Sequence, residues 1–179
     1  MAVAPGRCPD CGFDAPSVSP SDAVAAARSY PRRFRGLLVR PDDDDPEIVH
    51  RRPAPGVASA VDHAAAAAAG MSAAARALER VRVHEGAGVD LGPPPGPGRA
   101  VAGVGDGLTL EDVLAVITRS AAALAASAEA VHGDEWARTG VLPDGTSLHA
   151  LDMARAGVHA GSHHLRAADR VLSQVRLLR

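Results

Sequence analysis

His159 and His163 stand four residues apart within HAGSHHLRAADRVL. Neutral imidazole is a metal ligand, and a spacing of four places two side chains on one stripe of a helix, within about 6 Å. Such a pair suits two adjacent corners of a coordination shell. A third histidine from another helix would complete a catalytic-type site with one position open. His63, set among alanines in SAVDHAAAAAAGMSAAARALERV, is the residue this pattern selects. A buried imidazole in such an apolar stretch needs a partner. His164 falls about 140° around the helix from His159 and is expected to lie outside the cluster. Arg155, Arg166 and Arg170 surround the His159/His163 stripe, a basic setting that could hold an anionic cofactor or substrate group.

A second pair of ligand-type residues opens the chain, in Cys8-Pro9-Asp10-Cys11-Gly12. It reads as half of a zinc ribbon. A closed zinc site needs four ligands, and the sequence contains no second C-x-x-C. Asp10, Asp14 or another subunit could contribute, but nothing in the sequence points to one of them. A thioredoxin-type role would want the motif at a strand-to-helix junction of an α/β fold, which is missing. The cysteines therefore read first as structural or incidental.

The rest of the chain must position these groups. Its 179 residues suit a single domain, and a net charge of −2 argues against nucleic acid as a general partner. Every basic residue is arginine, and aromatics are limited to Trp136, Tyr30, Phe13 and Phe34. The core must then be built from Ala, Val and Leu, which favours closely packed helices. The longest alanine run, Ala64 to Ala69, is too short to span a bilayer, and the N-terminus has no apolar stretch of signal-peptide length. A cytoplasmic protein without membrane attachment, with reduced or metal-bound cysteines, is expected.

Four helices are predicted: from about Ser21 to Leu38, Val57 to Val83, Leu110 to Val131 and Ser147 almost to Arg179. Pro31 should kink or divide the first. In the second, Val61, Ala64, Ala68, Met71, Ala75 and Leu78 recur at helical spacing and form its buried stripe. Thr109, with Glu111 and Asp112 behind it, starts the third. The last carries Leu151, Val158, Leu165 and Leu172 at heptad spacing. The run PDDDDPEIVHRRPAPG reads as a solvated acidic loop, and residues 85–107, rich in Gly and Pro, as a long connection. No segment carries a clear strand signal. The expectation is an all-α four-helix bundle with a long crossover between helices 2 and 3, comprising an N-terminal cysteine-bearing extension, 1–18, and the bundle, 19–179.

CPDCGFD (Cys8 to Asp14), RRPAPGVAS before His63, WARTG (Trp136 to Gly140) with PDG after it, and HAGSHHL (His159 to Leu165) together span nearly the whole chain. In these blocks the chain resembles the DinB-like superfamily of metal-binding four-helix bundles, and more closely its actinobacterial branch with a short cysteine-bearing N-terminus. The resemblance implies a divalent metal held at one end of the bundle by a histidine of helix 2 and a pair from helix 4, here His63, His159 and His163. It further implies metal-dependent S-transfer or isomerisation with a small thiol such as mycothiol or bacillithiol. Zinc is the first expectation from three imidazoles, with nickel or iron fitting the same ligands. Relatives carry Trp-Ser at the start of the second helix and Glu-Tyr before its histidine, where this chain has Pro55-Gly56 and Ser59-Ala60.

Two functions follow from the residues. In the first, three histidines leave a dication with open positions that lower the pKa of a bound thiol or water, giving a thiol transferase or a hydrolase. A small-molecule thiol and an electrophile would be its partners, and a homodimer is compatible with it. In the second, the bundle binds metal without catalysis, as a stress-response or interaction module.

Overall fold

A computed structural model describes residues 7–40, 45–95 and 101–178. Four helices dominate it: α1 (Pro20–Leu38), α2 (Ala60–Val83), α3 (Leu110–Glu129) and α4 (Ala150–Leu177). Three of them start in the same way. Ser19, Ser59 and Thr109 each accept from the backbone N–H three residues on, while Asp22, Asp62 and Asp112 reach back to the cap residue's own N–H. Each box satisfies two backbone donors that a helix start otherwise leaves unpaired. α1 continues through Pro31 and is not divided there, although the ring removes the N–H that would bond Ala27. Tyr30 and Phe34, on either side, are both fully buried, and that packing holds the helix together.

Around the bundle, α1 packs on α3 and α4, and α2 packs on α3 and α4. The pairings fix the directions. Ser72 bonds Ser120 and Glu79 bonds Ser127, so α2 and α3 run parallel. Gly70 abuts Ala160 and His63 meets His164, so α2 and α4 run antiparallel. A parallel α2–α3 pair requires the chain to return the length of the bundle between them, which is what the Gly/Pro-rich connection does. Its residues 96–100, like 41–44 of the acidic run, lie outside the described residues.

The predicted stripe of α2 is the core: Val61, Ala64, Ala68, Met71, Ala75 and Leu78 are all buried. Small residues let α4 approach both α2 and α1 closely. A Cβ on Gly157 would come within 2.7 Å of the Ala74 methyl, and one on Gly161 within 2.6 Å of the Tyr30 ring.

The expectation of no strands needs correction. Ala87–Gly88 pairs in parallel with Thr139–Val141, which pairs antiparallel with Ser147–His149. Strands of two or three residues cannot show alternation in sequence. The sheet braces the entry to α4: Gly140 lies so close to Met153, Val81 and Val89 that a Cβ there would approach each within 3.0 Å. Arg138 donates to the Arg82 carbonyl, and Trp136 packs on the core beside it. Among the described residues no helix is long and apolar enough to cross a membrane.

Candidate metal centre

The N-terminal segment folds back onto α4. Gly12 N–H donates to Cys8 O and Cys8 N–H to Phe13 O, both at 2.7 Å, and Arg7 bridges Asp14 across the turn. Gly12 holds φ at +67°, a left-handed conformation that glycine adopts without a Cβ clash. The turn presents both cysteines to α4. Cys11 is 2% exposed and Cys8 is half-buried.

Ligand atoms of Cys8, Cys11, His159 and His163 all lie within 4.8 Å of one another. Cys8 Sγ stands 3.7 Å from His163 Nδ1. Zinc–sulfur and zinc–nitrogen lengths of about 2.3 and 2.0–2.1 Å place two such ligands about 3.6 Å apart on a tetrahedron. Phe13 stacks flat on His159, with centroids 4.8 Å apart and planes 7° apart, and so fixes that ring. His159 Nε2 is buried with no hydrogen-bond partner among the described residues. A buried polar atom without a partner is costly, and an ion is one way to satisfy it. Two thiols and two imidazoles within this distance form a donor set that fits a transition metal.

Burial sets the protonation of these groups. It pushes the Cys11 thiol up to about 11, so without a metal Cys11 is a neutral thiol. It lowers His159 to about 4, helped by neighbouring His163, and lowers His163 as well, where Arg170 assists and Asp10 opposes. Both rings are neutral near pH 7, the state a ligand needs.

The sequence grouped His63 with His159 and His163. The four-atom cluster contains His159 and His163 but not His63. His63 instead meets His164, Nδ1 to Nδ1 at 3.2 Å, with ring centroids 5.5 Å apart. His164, expected to lie outside the His159/His163 cluster, is not one of the four residues, but it is buried at 8% exposure and sits edge-on to His163 with centroids 5.2 Å apart. The physical reason is rotational: His159 and His163 face the N-terminal turn, and His164, the next residue round the helix, faces α2. The cysteines, for which the sequence points to no further ligand, lie beside two imidazoles 148 to 155 residues along the chain on α4 (159 − 11 and 163 − 8).

The three arginines expected to hold an anionic cofactor bind or flank the same segment. Arg155 donates to Val18 O at 3.0 Å and Pro16 O at 3.3 Å, and pairs with Asp152. Arg170 donates to Asp10 O at 3.1 Å. Arg166 lies beside Gly12, its Nη1 3.8 Å from where a Cβ would stand.

Asp62, next to His63, is fully buried. Burial alone would raise its carboxyl, but the N–H groups of Ser59 and Gly105, the Ser59 hydroxyl and Arg52 hold it below its usual value. Arg52 also binds Asp106 at 2.6 Å, so one carboxylate ties the start of α2 to both connections flanking it.

No family model and no curated protein sequence matches the chain. Two solved structures share its fold. YfiT from Bacillus subtilis, described as a probable metal-dependent hydrolase with an unusual four-helix bundle topology, superposes with a TM-score of 0.68 at 11% identity over 90% of each chain. TT2238, described as a four-helix bundle protein, gives 0.60 at 22% identity over 85% of this chain and 99% of its own. The chain is a four-helix bundle of that kind.

Proposed function

We propose that the chain is a metal-binding bundle whose ion is held by Cys8, Cys11, His159 and His163 in a closed tetrahedral shell. The observation that carries this is the convergence of four ligand atoms within 4.8 Å, drawn from two distant segments. Two thiolates with two imidazoles favour zinc among common divalent ions. The closed shell would staple the N-terminal turn to α4, adding to the hold that Arg155 and Arg170 provide, in a compartment that keeps thiols reduced.

A second reading keeps an open, histidine-rich ion for catalysis. Its support is the His63–His164 contact: 3.2 Å is close to the roughly 3.3 Å that separates two imidazole nitrogens on one tetrahedral ion. The metal-dependent hydrolase chemistry described for YfiT, or S-transfer to a mycothiol-type thiol, would belong to this reading. Arg155, Arg166 and Arg170 could bind such a cofactor only if the N-terminal segment moved aside, since it engages or flanks all three. In the closed arrangement Cys8 and Cys11 take the positions that a substrate thiol or water would need.

Cobalt substitution separates the two. Thiolate ligation gives intense sulfur-to-cobalt charge-transfer absorption, and an all-histidine site gives none. Purified protein should carry one zinc per chain and show that absorption once cobalt replaces it. Cobalt binding without the sulfur band would overturn the closed shell.

A further inference from the structure

We propose that the Cys8–Cys11 pair makes this centre a redox switch: a peroxide joins the two sulfurs in a disulfide, the ion leaves, and His159 and His163 are uncovered. The inference rests on the quartet being a metal centre and adds the regulation of that centre.

The two sulfurs are suited to each other. They are the only thiols of the chain, so an intramolecular disulfide has one possible connectivity. Both sit on one hydrogen-bonded turn, closed by the 2.7 Å bonds that join Cys8 to Gly12 and Phe13. Their ligand atoms are already within 4.8 Å, so side-chain rotation closes the remaining gap without unwinding a helix.

Access is graded in the order the chemistry requires. Half-buried Cys8 can meet a small oxidant, while buried Cys11 stands behind it to resolve the product. A metal-bound sulfur is held as thiolate, the nucleophilic form. The Cys8 sulfur attacks a peroxide oxygen, forming an S–O bond as the O–O bond breaks. The departing oxygen takes a proton and leaves as water. The Cys11 sulfur then attacks the Cys8 sulfur, forming S–S as S–O breaks, and a second proton carries that oxygen away as water. Two sulfurs lose two electrons, the peroxide gains them, and the ion departs unchanged in charge.

The ligands are also divided so that opening stays local. Both sulfurs come from a turn outside the four helices, and both nitrogens from α4 within the bundle. Neither cysteine belongs to the main hydrophobic core cluster, so the bundle keeps its packing when the sulfurs leave the ion. Phe13 would then be the chief cover remaining over His159.

The test uses the full chain loaded with zinc, titrated with hydrogen peroxide in the presence of a chromogenic zinc chelator. One zinc should be released for each pair of thiols lost, with the helical circular dichroism unchanged. A dithiol reductant and fresh zinc should restore both metal and thiols. Cys11→Ser, which cannot resolve the oxidised Cys8, should yield no disulfide. In the cobalt-loaded protein the sulfur-to-cobalt band should fade in step with disulfide formation. Retention of that band under peroxide, or thiol loss that a dithiol cannot reverse, would overturn the switch and leave the metal centre standing. A band that never forms would remove the metal centre itself, so the two failures are distinct.

Discussion

The Nδ1 atoms of His63 and His164 face each other at 3.2 Å across the α2–α4 interface, so one ring must donate its proton and the other accept it. Charging either ring is disfavoured, first by burial and then by the neighbouring histidines. His63 falls from 6.5 to about 4 and His164 to about 3, while His159 falls to about 4. Below pH 6.5 the unfolded chain binds protons that the folded chain refuses, so stability declines as pH falls. The metal-free protein should be fully stabilised by these groups above about pH 6.5 and lose that contribution progressively towards about pH 3. Denaturant midpoints of metal-free protein across this range check it, and a midpoint that rises on acidification through that range would contradict the assignment.

Gly161→Ala should destabilise the bundle. A methyl there would sit 2.6 Å from the fully buried Tyr30 ring, whose hydroxyl donates to Val158 O at 2.7 Å and contacts Ser162 Oγ at 2.8 Å, leaving it little room to yield. Overpacking costs about 1–3 kcal/mol, against a helix-propensity gain of up to about 1 kcal/mol. Gly36→Ala is the matched control, because nothing lies within 4 Å of a Cβ at that helical position. It should stabilise by about 0.5–1 kcal/mol. Urea unfolding of the two variants should move in opposite directions.

Asp62→Asn should weaken the structure without touching any ligand of the proposed centre. The carboxylate accepts from Ser59 N at 2.8 Å, Gly105 N at 2.9 Å and Arg52 at 3.2 Å, all around a buried group. Losing its charge while Arg52 remains should cost about 1.5–3 kcal/mol. Hydrogen exchange should quicken at the start of α2 and near Gly105, and unchanged protection there would count against this role.

Most of the bundle was legible because its signals are local. Thr109 with the acidic residues behind it marks the start of α3, and the Val61-to-Leu78 stripe is a spacing pattern that no tertiary contact needs to supply. The Ser19–Asp22 and Ser59–Asp62 boxes, which helical spacing alone does not select, set the starts of α1 and α2 at Pro20 and Ala60 rather than near Ser21 and Val57. Pro31 misled because propensity cannot register the packing of Tyr30 and Phe34 around it. The His159/His163 spacing is local, and so is Cys8/Cys11, but each pair is only half of the four-residue cluster the structure brings together. That they meet depends on a turn at the N-terminus lying down on α4, fixed by Arg155, Arg170 and the Phe13–His159 stack. Those contacts leave no periodic trace. Helical geometry did separate His164 from His159, but it could not say which neighbour each face would meet.

The ligand set makes the last expectation, and two single substitutions test it. His163→Ala removes a nitrogen 3.7 Å from Cys8 Sγ and should abolish stoichiometric zinc, since loss of a direct ligand should exceed the about 10–100-fold effect of losing an outer partner. His63→Ala removes a ring that touches His164 and is not part of the four-atom cluster. It should leave His164 Nδ1 without its partner, lowering stability by about 1–3 kcal/mol, while the protein keeps its zinc. Elemental analysis of both variants after identical purification decides between the ligand sets. Zinc lost on His63→Ala in a protein that still unfolds cooperatively would move the ion from the cysteine turn to the α2–α4 interface.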